Sequence, residues 1–138
     1  MTTQQRQLVA ADLMTIEPVV VAFDAPLEEA ERLIRDYQVS GLPVVDGDGI
    51  LVGVISQTDF VHLANPAVSS LIRHASSGIR VGEVMSRPAV TVLLTTSLLE
   101  AARSMVQERV HRLVVVDAHQ RPLGVLSAID FVTLYAEG

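Results

Sequence analysis

Residues 12–60 and 83–131 carry one pattern twice, at a constant offset of 71 and without a gap. The two 49-residue windows share 17 identities, among them Met14/Met85, Leu27/Leu98, Glu29/Glu100, Ala30/Ala101, Gly53/Gly124, Ser56/Ser127 and Asp59/Asp130. The second half of each copy is nearly the same text: LPVVD then GVISQTDF at Leu42–Asp46 and Gly53–Phe60, LVVVD then GVLSAIDF at Leu113–Asp117 and Gly124–Phe131. A gapless repeat of this kind commits the chain to two like supersecondary units. Packing alone would preserve the apolar positions. The retention of Gly, Ser and Asp adds a geometric or chemical demand.

Each copy opens with an acidic-hydrophobe-Met element, Asp12-Leu13-Met14 or Glu83-Val84-Met85, expected as a short turn or helix with the methionines filling core. A first strand is expected at Val19–Phe23 and at Val90–Leu94. In the first copy Pro26 suits the first turn of a helix, and Leu27, Ala30, Leu33, Ile34 and Tyr37 recur at helical spacing. In the second, Ser97 and Glu100 form a capping-box pattern ahead of an apolar stripe of Leu98, Ala101, Ala102, Met105 and Val106. Two Val/Ile-rich runs follow, Leu42–Val45 and Leu51–Ile55, joined by the turn residues Asp46-Gly47-Asp48-Gly49. The second copy spaces its runs identically around Ala118–Pro122. A last helix is expected at about Thr58–Leu63 and Ile129–Tyr135. The order per copy is therefore β-α-β-β-α.

This places repeat 1 at 8–64, a connector at 65–82 with one short helix around Val68–His74, and repeat 2 at 83–138. One copy of about 50 residues buries too little apolar surface to be stable alone. The expected fold class is mixed α/β (α+β), with both repeats packed as one pseudo-twofold domain.

Composition narrows the function. All ten basic residues are arginine, so Schiff-base lysines and a Walker-type phosphate lysine are excluded. Without cysteine there is no disulfide, thiolate metal site or cysteine nucleophile, which fits a cytoplasmic setting. A net charge of −6 opposes general binding to nucleic-acid backbones. Residues 1–8 lack the layout of a signal peptide, and no apolar run reaches about 18 residues, so neither secretion nor membrane spanning is expected. His62, His74 and His119 lack metal-ligand spacing and are expected to face solvent. Ser127 and Asp130 lie one turn apart with no G-x-S-x-G elbow, so catalysis is not expected.

The ordered set of β-α-β-β-α, PVVD-type strand and G-h-h-S-x-x-D, present twice over roughly Leu8 to Tyr135, resembles CBS domains in tandem, a Bateman module. The resemblance implies a non-enzymatic regulatory module. It would bind an adenosine ligand (AMP, ADP, ATP or S-adenosylmethionine) in clefts between the repeats, needing no catalytic cofactor. On that pattern Asp59 and Asp130 accept hydrogen bonds from ribose hydroxyls, and Ser56 and Ser127 lie near the ribose or first phosphate. Val54, Ile55, Val125 and Leu126 would form an apolar wall for adenine. Val110-His111-Arg112-Leu113 is similar to a stretch of nucleotide-sensing family members in which the His-Arg pair contacts phosphate, a task suited to guanidinium. The first copy has Ser40-Gly41 there, so unequal sites are expected.

A local explanation competes, since Ser-x-x-Asp ahead of a helix is also a capping pattern. The rival function is a homodimerisation or interaction module with vestigial clefts, using Val132 and Tyr135 on the last helix. In either case the output is expected to pass through an effector protein or through self-association.

Overall fold

The computed structural model describes residues 7–16, 18–67 and 78–137. The helix expected around Val68–His74, with His74 itself, lies outside the described residues. In chain order the elements are α1 (Ala10–Leu13), β1 (Thr15–Ile16), β2 (Val21–Ala22), α2 (Leu27–Tyr37), β3 (Gly41–Val45), β4 (Leu51–Ser56) and α3 (Gln57–Leu63). The second repeat gives α4 (Val81–Val84), β5 (Thr91–Val92), α5 (Leu98–Glu108), β6 (Arg112–Val116), β7 (Pro122–Ser127) and α6 (Ala128–Glu137). The mixed α/β class and the unit order follow the sequence pattern.

The compact units do not coincide with the linear repeats. One gathers the described residues of 1–17 with those of 90–138, and the other those of 18–89. In the first of these the sheet runs β1-β7-β6-β5, so the opening strand of repeat 1 closes the sheet of repeat 2. In the other the sheet is β2-β3-β4, and Ser86 of repeat 2 bridges Val54 through two backbone hydrogen bonds of 2.8 and 3.0 Å. Ala10 of α1 is fully buried with Val92, Leu113, Val115 and Leu126, while Val81 of α4 is fully buried with Val21, Leu42 and Ile55. The opening elements are exchanged between the repeats.

The glycines shared by both copies explain how those elements fit. A Cβ on Gly124 would meet Met14 Sδ at 2.6 Å and the Thr15 carbonyl oxygen at 2.7 Å. A Cβ on Gly53 would meet Met85 Sδ at 2.7 Å and the Ser86 carbonyl oxygen at 2.8 Å. Both contacts are far inside van der Waals range, so only glycine lets the exchanged backbone lie against the strand. Both methionines pack against the cores, as expected.

Within each unit a short parallel pair (β2 with β3, β5 with β6) joins an antiparallel hairpin. The hairpin turns are built by aspartates. Asp46 Oδ1 accepts the N–H groups of Asp48 and Ile50 at 2.9 and 3.0 Å, and Asp117 Oδ1 accepts those of His119 and Arg121 at 2.8 and 3.0 Å. Each turn ends in left-handed backbone, at Gly49 (φ 81°) and at Gln120 (φ 65°). The N–H of Arg121, helped by that of His119, holds the Asp117 carboxyl below its ordinary 3.8.

Helix α2 buries Leu27, Ala30 and Ile34, and α5 buries Ala101 and Met105. The expected stripes were one residue too wide, because Tyr37 and Val106 are exposed. Val106 follows Met105 by 100° of helix and so leaves the buried face. Pro26 stands just before α2 rather than in its first turn. The first strands are also shorter than expected, since parallel pairing extends over only two residues in each unit. Ser97 Oγ accepts the Glu100 N–H at 3.1 Å, the forward half of a capping box.

Candidate functional site

Strand β7 alternates: Gly124 and Leu126 are buried, whereas Val125 and Ser127 are half-buried on the opposite face. The β6–β7 register sets Arg112 directly opposite Ser127, so both side chains leave the same face of the sheet. Chain reversal into α6 follows at once. The Ala128 N–H donates to the His111 carbonyl at 2.8 Å, which ties the start of α6 to the start of β6. One turn later Asp130 folds back, and its Oδ2 accepts from the Ser127 N–H at 2.8 Å and from Ser127 Oγ at 2.9 Å. Arg112, Ser127 and Asp130 thus converge on the strand-to-helix junction, with the exposed His111 beside them.

The aspartate therefore caps its helix, as the local explanation required. The cap uses one carboxylate oxygen only. Among the described residues no group donates to Asp130 Oδ1. That leaves an anionic acceptor beside a guanidinium-bearing strand end and a helix N-terminus, where partial positive charge favours anions.

The first repeat copies the scaffold but differs at the junction. Gly41 stands opposite Ser56, so no side chain takes the place of Arg112. The Gln57 N–H donates to the Ser40 carbonyl at 3.0 Å, and the Ser56 N–H and Oγ donate to Asp59 Oδ2 at 2.8 and 3.3 Å. Here Ser86 Oγ also donates to Asp59 Oδ1, at 2.7 Å. A cavity of about 380 Å³ adjoins this contact, lined by Thr58, Asp59, His62, Glu83 and Ser86. Ser86 was missed from the sequence. A hydroxyl at this position in both copies (Thr15 and Ser86) was the available signal.

The apolar wall needs correction. Val54 and Val125 are half-buried on the site face, but Ile55 and Leu126 have no exposed surface and belong to the cores. Strand alternation sends them to the face packed against α2 and α5, and no ligand reaches them in this conformation. Among the described residues no cluster of His, Asp or Glu could hold a metal ion, and no helix is long and apolar enough to cross a membrane.

Two β-α-β-β-α units with exchanged opening elements and a Ser-x-x-Asp junction in each define a tandem-repeat module of mixed α/β architecture. The CBS domain signature matches residues 9–65 and 81–137, and the chain belongs to the CBS domain family. It is 34% identical over 114 residues to the 5′-AMP-activated protein kinase subunit gamma-3 of Sus scrofa, covering 82% of this chain and 22% of that protein. It is 31% identical over 120 residues to the inosine-5′-monophosphate dehydrogenase of Mycobacterium bovis, covering 86% of this chain and 21% of the enzyme. The chain thus spans about a fifth of these relatives. Among solved structures, CBSX2 in complex with AMP superposes with a TM-score of 0.81 at 30% identity, covering 94% of this chain and 96% of that one. The CBS domain pair of MJ0100, solved with 5′-methylthioadenosine and S-adenosyl-L-methionine, shares the fold, with a TM-score of 0.82 at 21% identity, covering 96% and 98%.

Proposed function

We propose that this chain is a non-catalytic, cytoplasmic regulatory module that binds an adenine nucleotide of the AMP, ADP or ATP class, with the second repeat supplying the principal site. The observation that carries this reading is the junction where Arg112 faces Ser127 across the ladder while, among the described residues, no group donates to Asp130 Oδ1. Asp130 Oδ1 accepts the ribose hydroxyls, Arg112 pairs with phosphate, and His111 and Ser127 flank it. Val125 offers adenine an apolar surface. Ser56, Asp59 and Val54 form the corresponding, weaker site of the first repeat. A bound AMP in the 30%-identical CBSX2 complex supports the ligand class. A ligand regulates by binding one conformation better than another, and the output passes to an effector protein.

Thermal shift and calorimetry with AMP, ADP, ATP, adenosine and S-adenosylmethionine test this. At a hundred times Kd a ligand specific to the native state adds about 2.7 kcal/mol. Asp130→Ala weakens every adenosine ligand. Arg112→Ala weakens AMP while leaving adenosine nearly unchanged, because only the phosphate needs the guanidinium. Preference for S-adenosylmethionine over all three nucleotides would replace the ligand class, and no binding of any of them would refute it.

A second reading, self-association into a homodimer, is favoured by one specific feature. Ile129, Val132 and Tyr135 of α6 are all more than half exposed, Tyr135 at 90%. Apolar side chains concentrated on one helix suit a partner of the same kind.

A further inference from the structure

The two aspartates differ in how much acceptor capacity remains. Each carboxylate oxygen has two lone-pair positions. In both repeats Oδ2 is filled by the serine N–H and hydroxyl of the cap. Among the described residues Asp130 Oδ1 then retains two positions, enough for both hydroxyls of a ribose diol. Asp59 Oδ1 retains one, because Ser86 Oγ occupies the other at 2.7 Å.

Ser86 is not a loose donor. Its backbone is pinned to Val54 by hydrogen bonds of 2.8 and 3.0 Å, and its carbonyl lies in the space that a Cβ on Gly53 would need. The hydroxyl is thus held over Asp59 with only its own rotamer left to choose. Thr15 occupies the corresponding place in the other unit and also has a hydroxyl, yet makes no such bond to Asp130. Glu83 lines the same cavity and adds negative charge where a phosphate would approach.

We infer that Ser86 is a latch that sets the inequality of the two sites. Its hydroxyl holds the acceptor position that a second ribose hydroxyl requires, so the first repeat binds a nucleoside phosphate more weakly and fills after the second. This inference rests on the nucleotide reading above. It makes Ser86 a specificity-determining residue for the order of occupancy, in addition to the missing guanidinium.

Isothermal titration with AMP, run on the wild-type chain, Ser86→Ala and Ser86→Ala/Asp59→Ala, separates the possibilities. Loss of a competing hydrogen bond to a charged group tightens the weaker site about tenfold or more in Ser86→Ala. Asp59→Ala then abolishes that gain. The same comparison in an Arg112→Ala background, where the second site no longer dominates the heat, reads the first site directly. An unchanged weaker site overturns the latch, and a weakened one shows that Ser86 contacts the ligand instead. No AMP binding by wild type or Ser86→Ala refutes the nucleotide reading and the latch together, whereas normal binding at the Arg112 site with no response to Ser86→Ala refutes the latch alone.

Discussion

Replacing Gly124 by alanine tests whether the exchanged element is held by close approach. The new Cβ would sit 2.6 Å from Met14 Sδ and 2.7 Å from the Thr15 carbonyl oxygen. The thioether is a flexible side-chain atom and moves at small cost. The carbonyl cannot, because Thr15 and Ile16 are the whole of β1 and are both registered on β7, at Val125 and Gly124. Restoring an ordinary contact displaces that backbone by more than half an ångström and loosens the pairing. Overpacking costs about 1–3 kcal/mol, and partial loss of a two-residue strand puts the change near the upper end. For a domain of this size about 2–3 kcal/mol lowers Tm by roughly 6–12 °C. Gly47→Ala is the control, since no atom lies within 4 Å of its Cβ and its φ is not positive. That variant is neutral or gains a few tenths of a kcal/mol, as about 0.4–1 is the usual benefit of removing glycine freedom. Differential scanning calorimetry reads both. If Gly124→Ala melts within about 2 °C of Gly47→Ala, the contact does not constrain the fold and the explanation of the repeated glycine is wrong.

Gly49→Ala should cost about 1–2 kcal/mol by denaturant titration, because φ is 81° there, while Gln120→Gly at the matching turn should be neutral or stabilising. Asp117 should titrate below an unfolded aspartate by NMR. Since its folded value is depressed, its contribution to stability is present above about pH 3.9 and disappears as pH falls through the folded value, and Asp117→Asn should flatten stability across that window. Tyr135→Asp should abolish any concentration-dependent self-association seen by light scattering while changing the melting temperature of the monomer by less than about 1 kcal/mol in equivalent stability, since the ring is 90% exposed.

The element order was legible because strand and helix periods alternate in the same places in both copies. The turns were legible for a chemical reason, since Asp46 and Asp117 gather the N–H groups of their own loops. The exchange of opening elements was not legible. Under a constant offset, Met14 has the same spacing pattern relative to Gly53 as Met85 has to Gly124, so periodicity offers no means of choosing a partner. That Arg112, Ser127 and Asp130 meet at one strand-to-helix junction was legible in their spacing, whereas Ile55 and Leu126 belong to the cores, because their place in the alternation sends them inward. Ser86 and Thr15 are chemically alike, yet Ser86 bonds the aspartate of its unit and Thr15 does not. Sequence comparison has no access to that.

The exchanged opening elements also bear on how such a chain could arise. A single ancestral repeat of this design would present a glycine-lined strand with no methionine arm of its own to cover it, and would obtain one from a second molecule. Pairing would then depend on concentration. Joining two copies in one chain would make each arm a tethered neighbour, so that a closure requiring an encounter becomes a matter of linker length. A duplication would then do more than double a unit: it would internalise a pairing between molecules and leave the two junctions free to differ, one with Arg112 opposite its serine and the other with Gly41 there and Ser86 on its aspartate.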